Sequence, residues 1–126
     1  MKKEIVNCKS AAPARGPYSH AVKFGNLLFI SGRTPSNLKT GELLDTDVKD
    51  ATKLAIENLK LILEDAGSSL KNVVKTTVFI RDMADFEEVN KVYSEYFKED
   101  PPARSCVEIG KLPRNAAVEI EAIAMI

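Results

Sequence analysis

Hydrophobic positions recur along the chain in two periods, and the changes of period mark the elements. Val48, Ala51, Ala55, Leu59, Ile62 and Ala66 repeat at spacings of three and four, which predicts an amphipathic helix running from Thr46 to a stop at Gly67. Val74, Thr76, Val78 and Ile80 alternate with Lys75, Thr77 and Phe79, so the next segment reads as a strand with β-branched residues on one face. Asp85-Phe86-Glu87-Glu88 resembles a capping box and opens a second helix, with Phe86, Val89, Tyr93 and Tyr96 or Phe97 turned inward. Pro101-Pro102 ends it, because proline lacks the donor and the space that a helix needs.

Before the first helix, Ala21–Phe24 and Leu27–Ile30 are β-rich runs separated by Gly25-Asn26, a pair suited to a tight hairpin turn. The segment from Ser10 to Tyr18 carries two prolines and a glycine and is expected to be a loop, preceded by a short apolar patch at Glu4–Val6. Two last strands, Arg104–Ile109 and Ala117–Met125, flank a loop with Gly110 and Pro113. Strands, helix, strand, helix, strands is not a strict βαβα alternation. The expectation is an α+β domain with two helices on one face of a mixed sheet.

At 126 residues, positions 1–126 are expected to form a single domain, and 44% hydrophobic content supplies its core without disulfides or a metal. Eighteen basic and eighteen acidic side chains cancel. That balance removes the electrostatic footprint of a general nucleic-acid or membrane-surface binder. Cys8 and Cys106 stand far apart and join no metal-ligand cluster, so no metal site is expected and both thiols are read as reduced. The first residues, Met1 to Val6, carry no apolar leader, and no segment is long enough to span a bilayer. A cytoplasmic location is the simplest expectation.

Period two decides which polar residues share a sheet face. Arg104, Cys106 and Glu108 point one way along their strand, and Glu119 and Glu121 share a face of the last one. If these strands pair as a hairpin, one face gathers Arg104, Cys106, Glu119 and Glu121, a guanidinium and a thiol beside carboxylates. The plainer alternative is a sheet with one face on helices and the other in water, and the pattern alone favours it. His20, the only histidine, reads as a loop or strand-edge residue. Ser31-Gly32 offers either backbone N–H groups to an anion or simply a turn. Asn90 needs a partner, most often a backbone group, and Tyr18 is as good a packing anchor as a ligand contact.

These positions also carry a resemblance. Gly16-Pro17-Tyr18-Ser19, Ser31-Gly32, Val73–Phe79, Asp85-Phe86 with Val89-Asn90, Pro102–Glu108, and Leu112-Pro113 leading into Glu119–Ala124 resemble, in order, the RidA (YjgF) family of enamine/imine deaminases. The Pro-Ala-Arg-Ser segment followed by Glu-Ile-Glu-Ala-Ile-Ala is the specific part. The resemblance implies a chorismate-mutase-like fold and a homotrimer whose inter-subunit clefts are built by two chains. It implies catalytic Arg104, which holds the substrate carboxylate, and Glu119, which positions or activates water. Tyr18, Gly32, Asn90 and Cys106 would line the pocket; Glu121 is not carried over as catalytic. The implied reaction is hydrolysis of 2-imino acids such as 2-iminopropanoate and 2-iminobutanoate to 2-keto acids and ammonia, without a cofactor, sparing pyridoxal-phosphate enzymes from damage.

The chain departs from the family at His20 and Arg33, where glutamine is common, and in a loop one residue shorter between Ala12-Pro13 and Gly16-Pro17-Tyr18. Arg33 either adds positive charge beside the site or points to solvent. Other functions linked to the family are a translation-inhibiting ribonuclease and a redox-activated, chaperone-like holdase, the latter drawing on a lowered Cys106 pKa beside Arg104. A non-catalytic keto-acid sensor is the third alternative. Neutral charge argues against strong RNA affinity.

Overall fold

The computed structural model of the chain describes residues 2–44 and 46–126; Met1, the first residue of the segment expected to carry no apolar leader, and Asp45 lie outside the described residues. Eight elements run in the order β1 (Glu4–Val6), β2 (Ala21–Phe24), β3 (Leu27–Arg33), α1 (Val48–Asp65), β4 (Val73–Ile80), α2 (Phe86–Tyr96), β5 (Ala103–Glu108) and β6 (Val118–Met125). Six strands form one mixed sheet in the order β1-β2-β3-β6-β4-β5. The expected α+β architecture, two helices on one face of a mixed sheet, is the architecture observed.

Local chemistry explains the elements. The β2–β3 hairpin turns at Gly25, whose φ of +61° a side chain would resist. Asp47 caps α1 by accepting from the Asp50 N–H at 2.9 Å, and Gly67 follows the helix at φ +86°. The second helix starts differently from its sequence signature. Asp85 makes no side-chain cap; Asp82 accepts from Ala84 N–H at 3.0 Å instead, and a 3₁₀ turn at Met83–Asp85 leads into α2. The Met83 N–H, left over by that turn, donates to Glu108 of β5 at 2.7 Å.

The core lies between the helices and the sheet. Ile56, Leu59, Ile62 and Leu63 of α1 share one core with Leu28, Val78, Ile80, Val118 and Ile120 from three neighbouring strands, all fully buried. Burying each such side chain contributes about 1.5 to 3 kcal/mol. Thr76 is buried as well, and its hydroxyl meets the Tyr93 hydroxyl of α2 at 2.7 Å.

The last two strands do not form the hairpin that their adjacency in sequence suggests. β4 lies between them, parallel to β5 and antiparallel to β6. The β4–α2–β5 segment is a crossover, and the chain then jumps past β4 to fill the gap beside β3. This order decides where the candidate residues point.

Candidate active site

Side chains of directly paired residues project from the same face of a sheet. Arg104 pairs with Thr76, which faces the helices, and Cys106 pairs with buried Val78. Glu119 pairs with Phe79 and Glu121 with Thr77, both of opposite parity to Thr76 and Val78. Within one chain Arg104 and Cys106 therefore belong to the helix face and Glu119 and Glu121 to the other. The expected gathering of all four on one face does not occur, because β4 lies between the two strands and pairs with Arg104 and Cys106 through Thr76 and Val78 but with Glu121 and Glu119 through Thr77 and Phe79.

Two half-sites result. The first is an arginine clamp beside the edge strand β5. The Arg104 guanidinium lies over the Tyr93 ring, 4.7 Å from its centroid, and within 5.7 Å of the Phe86 centroid. Asn90 Oδ1 accepts from Arg104 Nη1 at 2.9 Å. Phe86, Asn90 and Tyr93 stand at spacings of four and three, so one stripe of α2 builds the whole cradle. The partner of Asn90 is thus a side chain and not the backbone group expected for it. Ring stacking contributes about 0.5 to 2 kcal/mol and fixes the plane of the fork. Half-buried Cys106 lies near; burial pushes its thiol above the usual value and Arg104 only partly opposes this. The lowered thiol pKa expected beside Arg104 is therefore reversed, because desolvation outweighs the attraction of one cation.

The second half-site is a cavity of about 430 Å³ at the end of β3 and the start of β6. Tyr18, Gly32, Arg33, Glu119 and Glu121 line it. The Glu119 side chain lies so close over Gly32 that a Cβ there would stand 2.7 Å from Cδ and 2.9 Å from Cγ. Glycine at position 32 thus serves close approach. Burial raises the Glu119 pKa, Arg33 opposes that shift, and Glu121 adds to it. Ser31 and Gly32 fall where the β3–β6 register slips. The Ser31 N–H is not available to an anion, since it donates to His20 O at 3.1 Å, and its hydroxyl donates to Ser19 O at 2.7 Å. Arg33 lines the cavity and does not point into open solvent.

Residues outside the sequence-derived set hold these walls. Buried His20 accepts from the Cys8 N–H at Nδ1 (2.9 Å), which leaves Nε2 to donate to Ala12 O (2.8 Å). Asn58, buried on α1, donates to Thr34 O at 3.1 Å and Ser36 O at 2.7 Å, fixing the opposite wall. An asparagine amid apolar helix positions is the signal that marks it in the sequence. Among the described residues no group of three or more His, Cys, Asp or Glu could hold a metal ion, and no helix is long and apolar enough to cross a membrane.

The sheet face that carries Glu119 is not covered by helices, and beside Glu121, Thr77 and Lys75 it bears an apolar patch. Phe29 and Val107 are each 41% exposed, and Leu27, Phe79, Ile123 and Met125 continue the patch. The plainer alternative, a sheet with one face on helices and the other open, describes this single chain as well; the apolar patch is what it does not anticipate.

Comparison with known proteins fits this architecture. A crystal structure of a putative endoribonuclease from Thermotoga maritima is 50% identical, covers 100% of this chain and 98% of that one, and superposes with a TM-score of 0.93. The structure of E. coli TdcF with bound serine is 41% identical over 98% of both chains, with a TM-score of 0.90. Reactive Intermediate Deaminase A, chloroplastic, of Arabidopsis thaliana is 43% identical over 98% of this chain and 66% of its own length. The model of the family described as Endoribonuclease L-PSP matches residues 8–126. With arginine clamp, glycine-backed carboxylate and fold all in place, the chain belongs to the endoribonuclease L-PSP family, the RidA (YjgF) family that its sequence motifs resemble.

Proposed function

We propose that the protein is a hydrolytic deaminase of small 2-imino acids that works as a homotrimer, each site combining the Glu119 cavity of one subunit with the Arg104 clamp of the next. The observation that carries this reading is the Arg104 fork, stacked on two rings and aimed by Asn90, on the sheet face opposite its own chain's Glu119 and Glu121. A planar guanidinium held in this way suits a carboxylate, which it grips through two parallel hydrogen bonds. Two half-sites on opposite faces of one sheet need a second copy to meet. The uncovered apolar face around Phe29, Phe79 and Val107 supports that assembly, as an exposed patch of this kind is costly in a monomer.

In this reading the neighbouring subunit's clamp fixes the substrate carboxylate and so the position of C2. Glu119 orients a water against C2 and takes its proton as the oxygen–carbon bond forms. The proton passes to nitrogen, the C–N bond breaks, and the iminium plus water leave as 2-keto acid plus ammonium. No electron changes hands, so no redox cofactor is called for. Desolvation that raises the Glu119 pKa makes it a better base near neutral pH than an exposed carboxylate. Imines uncatalysed by solvent alone already hydrolyse, so about 10²- to 10⁴-fold from positioned acid–base help is a sufficient contribution. Tyr18 and Cys106 line the cleft from its two sides. The relative named Reactive Intermediate Deaminase A supports the reaction class, and the serine bound to TdcF supports a small carboxylate ligand. A cytoplasmic location is part of this proposal.

The test couples a threonine dehydratase to the protein and follows 2-oxobutanoate release in the presence of an amine trap for the imine. Faster release than with dehydratase alone is expected, and an unchanged rate overturns the reading.

A further inference from the structure

The cavity holds more positive charge than hydrolysis of a monocarboxylic imine uses. Arg15, Arg33 and Arg114 line it together with Glu119 and Glu121. The two outer arginines are tied to one loop: Arg15 Nη2 donates to Thr40 O at 3.1 Å and Arg114 Nη1 to Gly41 O at 2.7 Å. Arg114 and Asn115 have φ of +54° and +57°, left-handed positions that are strained for residues with a side chain. Arg81 Nη1 holds that turn through Asn115 O at 2.9 Å. Such strain at the mouth of a cavity sets Arg114 in one place.

Arg33 is set differently. Its one hydrogen bond among the described residues runs from Nε to the neighbouring Gly32 O at 3.0 Å, so both terminal nitrogens of the fork stay available. Burial is the largest influence on this guanidinium, which Glu119 and Tyr18 only partly offset. A desolvated cation with unused donors gains more from an incoming anion than one in water does. If the Arg104 clamp of the next subunit takes the substrate's own 2-carboxylate, Arg33 is left facing what lies beyond C2.

We propose that the cavity selects 2-imino acids bearing a second carboxylate at the end of a short side chain, and that Arg33 is the residue that recognises it. The inference rests on the deaminase reading and narrows its substrate class. One planar fork matches one planar carboxylate, whereas a dianionic phosphate would meet stronger repulsion from Glu119 and Glu121 in the same space. A volume of about 430 Å³ accommodates a small diacid.

The experiment measures kcat/KM for 2-iminoglutarate and 2-iminobutanoate, each generated in situ, with wild-type protein and Arg33→Gln. The wild type is expected to prefer the diacid, and its diacid-to-monoacid ratio to fall about 10- to 100-fold in the variant, the worth of a charge-assisted contact. A ratio that stays put overturns the inference, including the case where both activities fall together because Arg33 merely offsets the Glu119 charge. Should the variant not fold, calorimetry on the wild type decides: 2-oxoglutarate binding at least about tenfold tighter than 2-oxobutanoate supports the proposal, and equal or weaker binding overturns it. Hydrolysis of 2-iminobutanoate without diacid preference removes this inference alone. No hydrolysis of either imine removes the deaminase reading and this inference with it.

Discussion

Replacing Gly32 by alanine puts a methyl group where the Glu119 side chain now lies. The new Cβ would stand 2.7 Å from Glu119 Cδ and 2.9 Å from Cγ. Ordinary carbon–carbon contact is about 3.5 to 4.0 Å, so the carboxylate must retreat by about 1 Å. A reacting group displaced by that much can lose about 10²-fold in rate. Stability should change by less, within about 1 kcal/mol, because the obstructed atoms end a flexible, half-buried side chain and Gly32 has no positive φ that alanine would strain. Gly67→Ala is the counterpart: at φ +86° with nothing within 4 Å, it strains the backbone and touches no side chain. It should cost about 1 kcal/mol of stability and leave imine hydrolysis by the folded protein unaltered. Coupled 2-oxobutanoate release and thermal unfolding of both variants make the comparison. Wild-type kcat/KM in Gly32→Ala would refute the placement of Glu119 at the reacting centre.

The acid limb of the kcat/KM profile should lie above the usual glutamate value of 4.5, because burial raises the Glu119 pKa and the base form is the active one. Glu121→Gln removes a like charge that adds to this rise, so the limb should move to lower pH; movement the other way contradicts the assignment. Between 4.5 and the raised value the folded state binds the Glu119 proton more tightly than the unfolded chain, so this group's contribution to stability falls as pH rises; urea titrations of wild type and Glu119→Gln across that window should differ in slope with that sign. His20→Ala strands the Cys8 N–H and the Ala12 carbonyl inside the protein and should cost about 2 to 4 kcal/mol by urea unfolding, whereas a loss under 0.5 kcal/mol would mean that these two bonds do not hold the loop.

The elements were legible where local chemistry dominates. Spacing of Val48 to Ala66 and the alternation from Val74 to Ile80 give α1 and β4 within a residue or two, and the Gly25-Asn26 turn gives the β2–β3 hairpin, with β3 running three residues further, to Arg33. Which strand lies beside which was not legible, and the site turned on it. Parity within β5 and within β6 is read correctly from the sequence, but relating one parity to the other requires their partners. The insertion of β4 between them depends on long-range packing that no window of residues records. Period two already singles out Arg104 and Glu119 as polar strand positions, but the roles given to them and to Gly32, Tyr18 and Asn90 come from motif resemblance. The supporting residues were harder to see: Arg15, Arg33 and Arg114 converge from a loop, the end of β3 and the turn before β6, and Asn58 acts on carbonyls 24 and 22 residues away in sequence. The Cys106 expectation failed on energetics, since proximity to a cation was weighed and burial was not.

Mixing two disabled variants tests the two-chain site most directly. Arg104→Ala keeps the Glu119 cavity and loses the clamp, and Glu119→Gln keeps the clamp and loses the base, so under the proposed assembly each variant alone should be inactive. Unfolded together in equal amounts and refolded, they should regain about a quarter of wild-type activity, since half the cavities carry Glu119 and half of their neighbours carry Arg104. A mixture as inactive as its components would place both groups' work within one chain and contradict the account.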